Sequence, residues 1–214
     1  KLRADYPQAY FLAEAENPEL SDTRLFDATY AWELHHLLND IAQGKKTTKD
    51  LKGYLRKDAG NTPKDAFRLS FTSNHDENSW QGTEFERMGK YADAMAVLCF
   101  TLPKSQPLIY TGQEIGLQRR LAFFEKDPIT SWESNQHTEL FRALTALKHR
   151  CPALDAGERG GKVKYLKNLP EGLLGFTRGV DGNTVKVIVN LGDKDHTVAL
   201  EDGWQSPINM YMDC

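Results

Sequence analysis

The sequence lacks the features that mark several common classes of protein. Its 214 residues include three cysteines, Cys99, Cys151 and Cys214, an odd number without the spacing of a metal site. No apolar run approaches the roughly 18–20 residues that a membrane-spanning helix needs. Lysine and arginine number 27 against 30 aspartates and glutamates, so the chain has no excess of positive charge for nucleic acid. We therefore expect neither a membrane span nor a nucleic-acid partner.

Several catalytic motifs are also absent. The sequence contains no G-x-G-x-x-G or G-K-S/T phosphate loop and no G-x-S-x-G turn, so neither a nucleotide site nor a serine hydrolase is predicted. The pair His35-His36 lies in a helical pattern without a partner one turn away. We predict no metal site in this chain.

What is present is an ordinary globular composition, with 40% hydrophobic and 10% aromatic residues. Apolar periodicity predicts strands at residues 9–13, 25–27, 67–71 and 107–110. It predicts helices around residues 31–41, 83–102 and 138–149, and a mixed helical and loop segment before Pro63. Thr83 with Glu86 three residues later is a capping-box pattern at the start of the second helix. Beyond about residue 160 the pattern changes to consecutive strands, with a hairpin at Asp181-Gly182 and a last strand at His196–Leu200.

Strands that alternate with helices and then give way to consecutive strands predict part of an α/β unit followed by a small all-β domain. Four β-to-α segments fit before residue 150, whereas a complete (β/α)8 barrel needs about 250 residues, so this chain can hold half a barrel. A doubly wound sheet is the alternative. The chain opens on Lys1, without an initiator methionine or a signal-peptide pattern. We therefore expect it to begin partway along a longer protein.

Acidic residues follow directly after the predicted strands, at Glu14, Asp27, Asp76 and Glu114. In parallel α/β folds, chemistry is concentrated at the carboxyl ends of the strands. Two carboxyl groups held across such an end suit glycoside cleavage, in which one donates a proton and another stabilises the cationic transition state. The alternative is that each acid caps the next helix or pairs with a basic side chain.

Three segments resemble signatures of the α-amylase family, the family-13 glycoside hydrolases. Residues 71–76, Phe-Thr-Ser-Asn-His-Asp, resemble the F-x-x-N-H-D signature that ends the seventh barrel strand of that family. Residues 11–14 resemble the end of the fifth strand, with Ala13 where the family usually has glycine. Residues 107–116 are similar to the eighth-strand pattern P-x-x-Y-x-G-x-E-x-G. The three occur in the family's order.

This resemblance implies a fold and a division of the chain. Residues 1–158 would form the second half of a TIM (β/α)8 barrel, an α/β fold. Residues 159–214 would form a small antiparallel β-sandwich domain, which this sequence need not contain in full.

The resemblance also implies roles for individual residues. Glu14 matches the general acid/base, and Asp76 matches the carboxylate that binds the reacting sugar and stabilises its transition state. His75 would donate to the same sugar, and Asn74 and Trp80 would also bind substrate. Glu16, two residues beyond Glu14, is the competing candidate for the acid.

One part of the family's machinery is not matched. The nucleophile of the family is an Asp in an R-x-D segment that ends the fourth strand, well before the acid, and only 13 residues precede Glu14 here. Arg3-Ala4-Asp5 has the letters of that motif, but no apolar strand leads into it. We therefore expect the nucleophile to lie outside this chain and the chain alone to be incomplete and inactive.

The implied activity is retaining hydrolysis of α-1,4-glucosidic bonds in starch or maltooligosaccharides. A related α-glucosidase or transglycosylase, and a non-catalytic glycan-binding module, are the alternatives. The implied partners are an α-glucan and the N-terminal half of the same protein. No cofactor is expected in this chain, although calcium is common in the family, and the resemblance implies a secreted or periplasmic protein.

Overall fold

A four-stranded parallel sheet organises the first part of the chain, as predicted. The computed structural model describes residues 1–17, 19–20 and 25–199. The sheet comprises β1 (Leu12–Ala13), β2 (Ala28–Tyr30), β3 (Phe67–Ser70) and β4 (Ser105–Pro107), which neighbour one another in chain order. The order contains no reversal, so the sheet lacks the switch point of a doubly wound fold.

A side-chain contact between residues at the two outer strands indicates that the sheet is curved. Strands are spaced about 4.8 Å apart, so four strands laid flat would separate β1 from β4 by about 14 Å. The Tyr10 hydroxyl, just before β1, nevertheless lies 2.5 Å from Oε1 of Gln106 in β4. Their side chains therefore meet across the concave face.

The predicted strand at residues 25–27 is wrong, and the error moves one candidate acid. The strand is Ala28–Tyr30, so Asp27 lies at its start rather than at its carboxyl end. The Asp27 carboxylate accepts hydrogen bonds from the backbone N–H of Phe11 and from the Arg3 guanidinium. Asp27 is thus a structural residue at the opposite end of the sheet from the other candidate acids.

Two other strands are shorter or earlier than predicted. Of residues 9–13, only Leu12 and Ala13 pair with β2. The last strand is Ser105–Pro107 instead of residues 107–110, because its ladder with β3 begins there and ends with a bond from Leu108 N to Ser70 O. The chain then turns away towards Gly112, which has a φ of 90°.

Six α-helices are found among the described residues. They are α1 (Leu2–Asp5), α2 (Trp32–Ala42), α3 (Thr48–Asn61), α4 (Glu84–Met88), α5 (Ala92–Thr101) and α6 (Gln136–Arg150). Capping boxes begin α3, α4 and α6, at Thr47, Thr83 and Asn135, because each of these side chains satisfies backbone N–H groups that the first helical turn leaves free. The box at Thr83 and Glu86 confirms the sequence prediction.

The single helix predicted over residues 83–102 is interrupted. Gly89, with a φ of 56°, ends α4, and a 3₁₀ turn at Gly89–Tyr91 leads into α5. Glycine adopts this left-handed backbone with little strain. The apolar periodicity continues across the break, which is why the sequence pattern did not reveal it.

An antiparallel sheet follows, with β5 (Lys162–Tyr165), β6 (Leu173–Val180) and β7 (Asn183–Asn190) in that order. The predicted hairpin at Asp181-Gly182 is confirmed, and both residues have positive φ, as a tight two-residue turn requires. The strand predicted at His196–Leu200 is not formed by residues 196–199, and Leu200 lies outside the described residues. The described residues of this part form one three-stranded sheet.

The antiparallel sheet shares a core with the helices of the first part. Leu174 and Phe176 of β6 belong to the same buried cluster as Leu38 of α2, Leu51 of α3 and Met95 of α5. Burial of apolar surface contributes about 25 cal/mol per Å². The antiparallel sheet and the helices α2, α3 and α5 therefore stabilise each other.

Arg178 of β6 links the two parts by hydrogen bonds. The side chain is almost fully buried and donates to the carbonyl oxygens of Thr101 and Leu102 at the end of α5, and to those of Asp155 and Gly161. Burial lowers its pKa to about 10, so the guanidinium is charged at neutral pH. A cation at a helix C-terminus also interacts favourably with the helix dipole.

Replacement of Arg178 by Met is expected to lower the free energy of unfolding by about 3–5 kcal/mol, because four buried carbonyl groups lose their donor. Urea denaturation of the chain measures this change. Arg142→Met is the control, since Arg142 is exposed and pairs with Glu139 on the same helix; a change within about 0.5 kcal/mol is expected there. Equal effects of the two variants would contradict the structural role of Arg178.

Two further findings concern the membrane expectation and the cysteines. In the described part of the chain, no helix combines the length and the apolar character required to cross a bilayer. Cys99 is buried in α5 as a core thiol, and burial raises its pKa to about 12. Cys151 is a second buried thiol, and Cys214 lies outside the described residues.

Candidate active site

Glu14, His75 and Asp76 meet at the carboxyl ends of β1 and β3. The Nε2 atom of His75 lies 3.5 Å from a carboxylate oxygen of Glu14 and 3.7 Å from one of Asp76. All three side chains are between 40% and 52% exposed. Two carboxylates and an imidazole thus face solvent together, on one edge of the parallel sheet.

The register of the sheet explains why these residues converge. Ala13 is aligned with Thr29 of β2, and Thr29 with Arg68 of β3. Parallel strands in register end at the same edge, so the residues that follow β1 and β3 emerge side by side.

Tyr30 of β2 lies between these two strands and was missed by the sequence analysis. It is buried, and burial together with the charges of Glu14 and Asp76 raises the pKa of its hydroxyl. The displaced prediction of this strand placed Tyr30 in the loop before α2. The signal for it was the run Ala28-Thr29-Tyr30, whose threonine and tyrosine favour a strand.

Asn74 is positioned differently from its neighbour His75. It is 1% exposed, and its Oδ1 accepts a hydrogen bond of 2.8 Å from Glu77 N. That bond fixes the start of a π-helical turn, Glu77–Gln81, which carries Trp80. In this arrangement Asn74 supports the turn that presents His75 and Asp76.

A buried ion pair supports the same turn from below. Nε2 of His35 in α2 lies 2.8 Å from a carboxylate oxygen of Glu77, and Nδ1 lies 3.2 Å from the carbonyl oxygen of Phe71. A carbonyl oxygen only accepts, so Nδ1 donates. The pair is ionic when Nε2 is protonated as well, and burial opposes this state by lowering the pKa of His35. Burial is the largest single influence and raises the pKa of Glu77, but the bond from His35 and the charges of His35, Arg87 and His36 together lower it overall.

Glu77→Gln tests this support through its dependence on pH. A carboxylate with a lowered pKa in the folded state stabilises the fold above its ordinary pKa of 4.5, and the contribution is lost as the pH falls through the folded value. We expect the variant to be about 1–3 kcal/mol less stable at pH 7, with a difference that shrinks below pH 4.5. Urea denaturation across this range measures it. The exposed Glu139→Gln is the control, and a difference independent of pH would contradict the ion pair.

The other two candidate acids lie apart from this group. Glu16 accepts a 2.5 Å hydrogen bond from Glu33 N and lies 3.7 Å from Arg68, which is buried behind the sheet. Glu114 lies in the 3₁₀ turn Gln113–Ile115, and its Oε2 is buried. Neither is grouped with His75, whereas Glu14 is.

Comparison with solved structures identifies the fold. A maltogenic α-amylase of Thermotoga neapolitana matches with a TM-score of 0.74 at 19% identity, over 88% of this chain and 44% of that one. An α-amylase of Lactobacillus plantarum matches with a TM-score of 0.68 at 22% identity, over 86% and 46%. This chain has part of the α-amylase fold. A trehalulose synthase of Pseudomonas mesoacidophila also matches, with a TM-score of 0.55 at 16% identity, over 87% and 46%.

The match to the α-amylase fold is structural. No protein-family model matches the chain, and no curated protein matches it in sequence. The chain spans less than half the length of these two α-amylase structures. Since those structures include both amylases and a synthase, the α-amylase fold by itself does not select a reaction.

Within this α-amylase fold, Glu14, His75 and Asp76 are also the one group of potential metal ligands among the described residues, with ligand atoms within 4.8 Å of one another. Calcium takes six to eight oxygen ligands. Two carboxylates and an imidazole nitrogen do not provide such a set, so this group does not fit calcium.

Proposed function

We propose that this chain supplies the general acid/base and the transition-state-stabilising Asp of a retaining glycoside hydrolase that acts on α-1,4-glucosidic bonds of starch or maltooligosaccharides. The observation that carries the proposal is the convergence of Glu14 and Asp76 on His75 at the carboxyl edge of the sheet. Glycoside hydrolysis needs carboxyl groups on both sides of the scissile bond. The α-amylase fold raises the expectation that α-glucans are the substrate.

In the proposed mechanism Glu14 acts first as an acid. It donates a proton to the glycosidic oxygen while an external carboxylate attacks C1, so that the C1–oxygen bond breaks and a glycosyl ester forms. Glu14, now deprotonated, then takes a proton from water, which attacks C1 and releases the external carboxylate. Asp76 and His75 bind hydroxyl groups of the reacting sugar and hold it in its distorted form.

We propose that the external carboxylate comes from a segment outside these 214 residues, the N-terminal half of the same protein. On the concave face of the sheet, Tyr10 is 48% and Leu12 37% exposed, an apolar surface that a completed barrel would cover. The buried Oγ of Ser73 and Nδ2 of Asn74 have no hydrogen-bond partner among the described residues. Buried polar groups are normally paired, so both are places for contacts from the added segment.

This proposal includes the fold of the whole enzyme. Residues 1–158 would contribute half of a (β/α)8 barrel, and residues 159–214 a β-sandwich domain that packs on its helices. The contact between Tyr10, just before β1, and Gln106 of β4 supports the half-barrel. The shared buried cluster supports a domain boundary that is closely packed rather than flexible.

Transglycosylation is the second candidate reaction. It uses the same acids and differs only in whether water or a sugar hydroxyl attacks the glycosyl ester. The trehalulose synthase among the structural matches shows that the fold occurs in a protein named for synthesis.

The test uses the complete enzyme, meaning this chain together with the segment that supplies the nucleophile. We expect the complete enzyme to cleave maltoheptaose and to release products that first appear as the α-anomer, which NMR detects directly. This chain alone is expected to be inactive. Release of the β-anomer, or binding of maltoheptaose without cleavage by the complete enzyme, would contradict the proposal.

A further inference from the structure

Three aromatic rings form an exposed platform beside the candidate active site. The aromatic platform consists of Trp80, Phe123 and Phe124. The ring of Phe123 lies 5.2 Å from that of Trp80 and 4.6 Å from that of Phe124, and Trp80 and Phe124 are 6.5 Å apart. Trp80 is 58% exposed and Phe124 is 81% exposed. Contiguous exposed apolar surface of this kind marks binding sites.

The platform is held by polar contacts beneath it. The backbone N–H of Leu121 donates to Oδ1 of the buried Asn78 at 2.7 Å, and the hydroxyl of Ser79 donates to the carbonyl of Leu121, also at 2.7 Å. These bonds join the loop that carries Phe124 to the π-helical turn that carries Trp80. These bonds hold the rings in place before a ligand arrives, so binding does not cost the entropy of ordering them.

The platform is continuous with the candidate catalytic group. The ring of Phe123 stacks on His75, with centroids 5.8 Å apart and planes 30° apart. His75 in turn lies 3.5 Å from Glu14 and 3.7 Å from Asp76. A ligand that extends from these acids to Phe124 would contact the rings of His75, Phe123 and Phe124 in that order.

We propose that the aromatic platform binds glucosyl units adjoining the cleaved bond, and that Phe124 thereby sets a preference for longer substrates. The inference rests on the proposed function. The C–H faces of a glucose ring are apolar and pack on aromatic rings, while its rim of hydroxyl groups bonds polar groups nearby. An apolar protein partner would instead remove Glu14, His75 and Asp76 from water without pairing them, which is costly.

The experiment compares two substrates of different length on the complete enzyme. α-Glucosyl fluoride occupies only the position of the reacting sugar, whereas maltoheptaose also extends beyond it. For Phe124→Ala we expect kcat/KM on maltoheptaose to fall about tenfold, the loss expected for one removed ring face. The change on glucosyl fluoride should stay within twofold. The control is Trp132→Ala, at an exposed tryptophan outside the aromatic platform, with both substrates unchanged.

A binding measurement provides a second readout. In the complete enzyme with Glu14→Gln, the dissociation constant of maltoheptaose is expected to rise about tenfold on adding Phe124→Ala, and by a similar factor on adding Trp80→Ala instead. Equal losses on both substrates, or no loss on either, would overturn the role of Phe124. Unchanged kinetics with weaker association of the two parts of the enzyme would also overturn it, since the rings would then be an internal interface. A wild-type enzyme that cleaves neither substrate would refute the proposed function itself.

Discussion

Glu14→Gln is expected to lower kcat of the complete enzyme on maltoheptaose by about 10³-fold or more. Glutamine keeps the size of the side chain and cannot donate or accept the proton, and general acid–base catalysis contributes about 10²–10⁴-fold. Steady-state kinetics on the purified variant measures the loss. Since Glu14 is half exposed, the folded state should be unaffected, and an unchanged unfolding curve verifies this.

A comparison of two substrates shows whether the function lost in Glu14→Gln is that of a general acid. Fluoride needs little protonation to leave, so the loss on α-glucosyl fluoride in the first step should be much smaller than the loss on maltoheptaose. An added small anion such as azide should accelerate the second step, because it attacks without a general base. Glu16→Gln is the matched control, two residues away and bonded to Glu33 N. We expect it to retain activity, and greater damage from Glu16→Gln than from Glu14→Gln would reverse the assignment.

Asp76→Asn is expected to lower kcat by about 10²–10³-fold on both substrates. An amide lacks the negative charge that stabilises a developing cation, and loss of one such electrostatic contact costs about that much in other active sites. Because this role concerns the reacting sugar rather than the leaving group, glucosyl fluoride should be affected as strongly as maltoheptaose. The contrast with Glu14→Gln separates the two roles.

Asp5→Asn is the matched control for Asp76→Asn. Asp5 stands in Arg3-Ala4-Asp5, which has the letters of a nucleophile motif, but it ends the short exposed helix α1 and follows no strand. We expect full activity from this variant. Complete loss with Asp5→Asn would show that the nucleophile lies within this chain after all.

Local signals in the sequence predicted four candidate acids, and the resemblance to the α-amylase family singled out Glu14 and Asp76 among them, with His75. Glu14 and Asp76 each stand directly after a short apolar strand, and parallel strands in register bring such positions to one edge. The capping box at Thr83 and the hairpin at Asp181-Gly182 were predicted for the same reason. Each depends on a few adjacent residues whose chemistry decides the backbone.

Other features depended on contacts between distant residues. The second strand shifted from residues 25–27 to Ala28–Tyr30 because pairing with both neighbours decides its register, and this placed Tyr30 beside the acids. Asn74 and His75 are adjacent, but Asn74 is buried and bonded to the π-helical turn that follows, whereas His75 is about half exposed. The pair Phe123-Phe124 lies in a largely polar stretch of the sequence, and this contrast was the available signal for the aromatic platform.

The packing between the two parts of the chain could not be predicted from the sequence. The change from alternating helices to consecutive strands near residue 160 is real, but Arg178 and the apolar residues of β6 pack on α5. Sequence periodicity reports which face of an element is apolar and does not say which element covers it.

The most direct test of the account is to locate the glycosyl ester. The complete enzyme is treated with a fluorinated glucosyl fluoride that forms the ester but hydrolyses it slowly, and the labelled peptide is identified by mass spectrometry. The account predicts that the label is on an Asp outside these 214 residues, with Glu14 and Asp76 unmodified. A label on Glu14, Asp76 or any other carboxylate of this chain would contradict it.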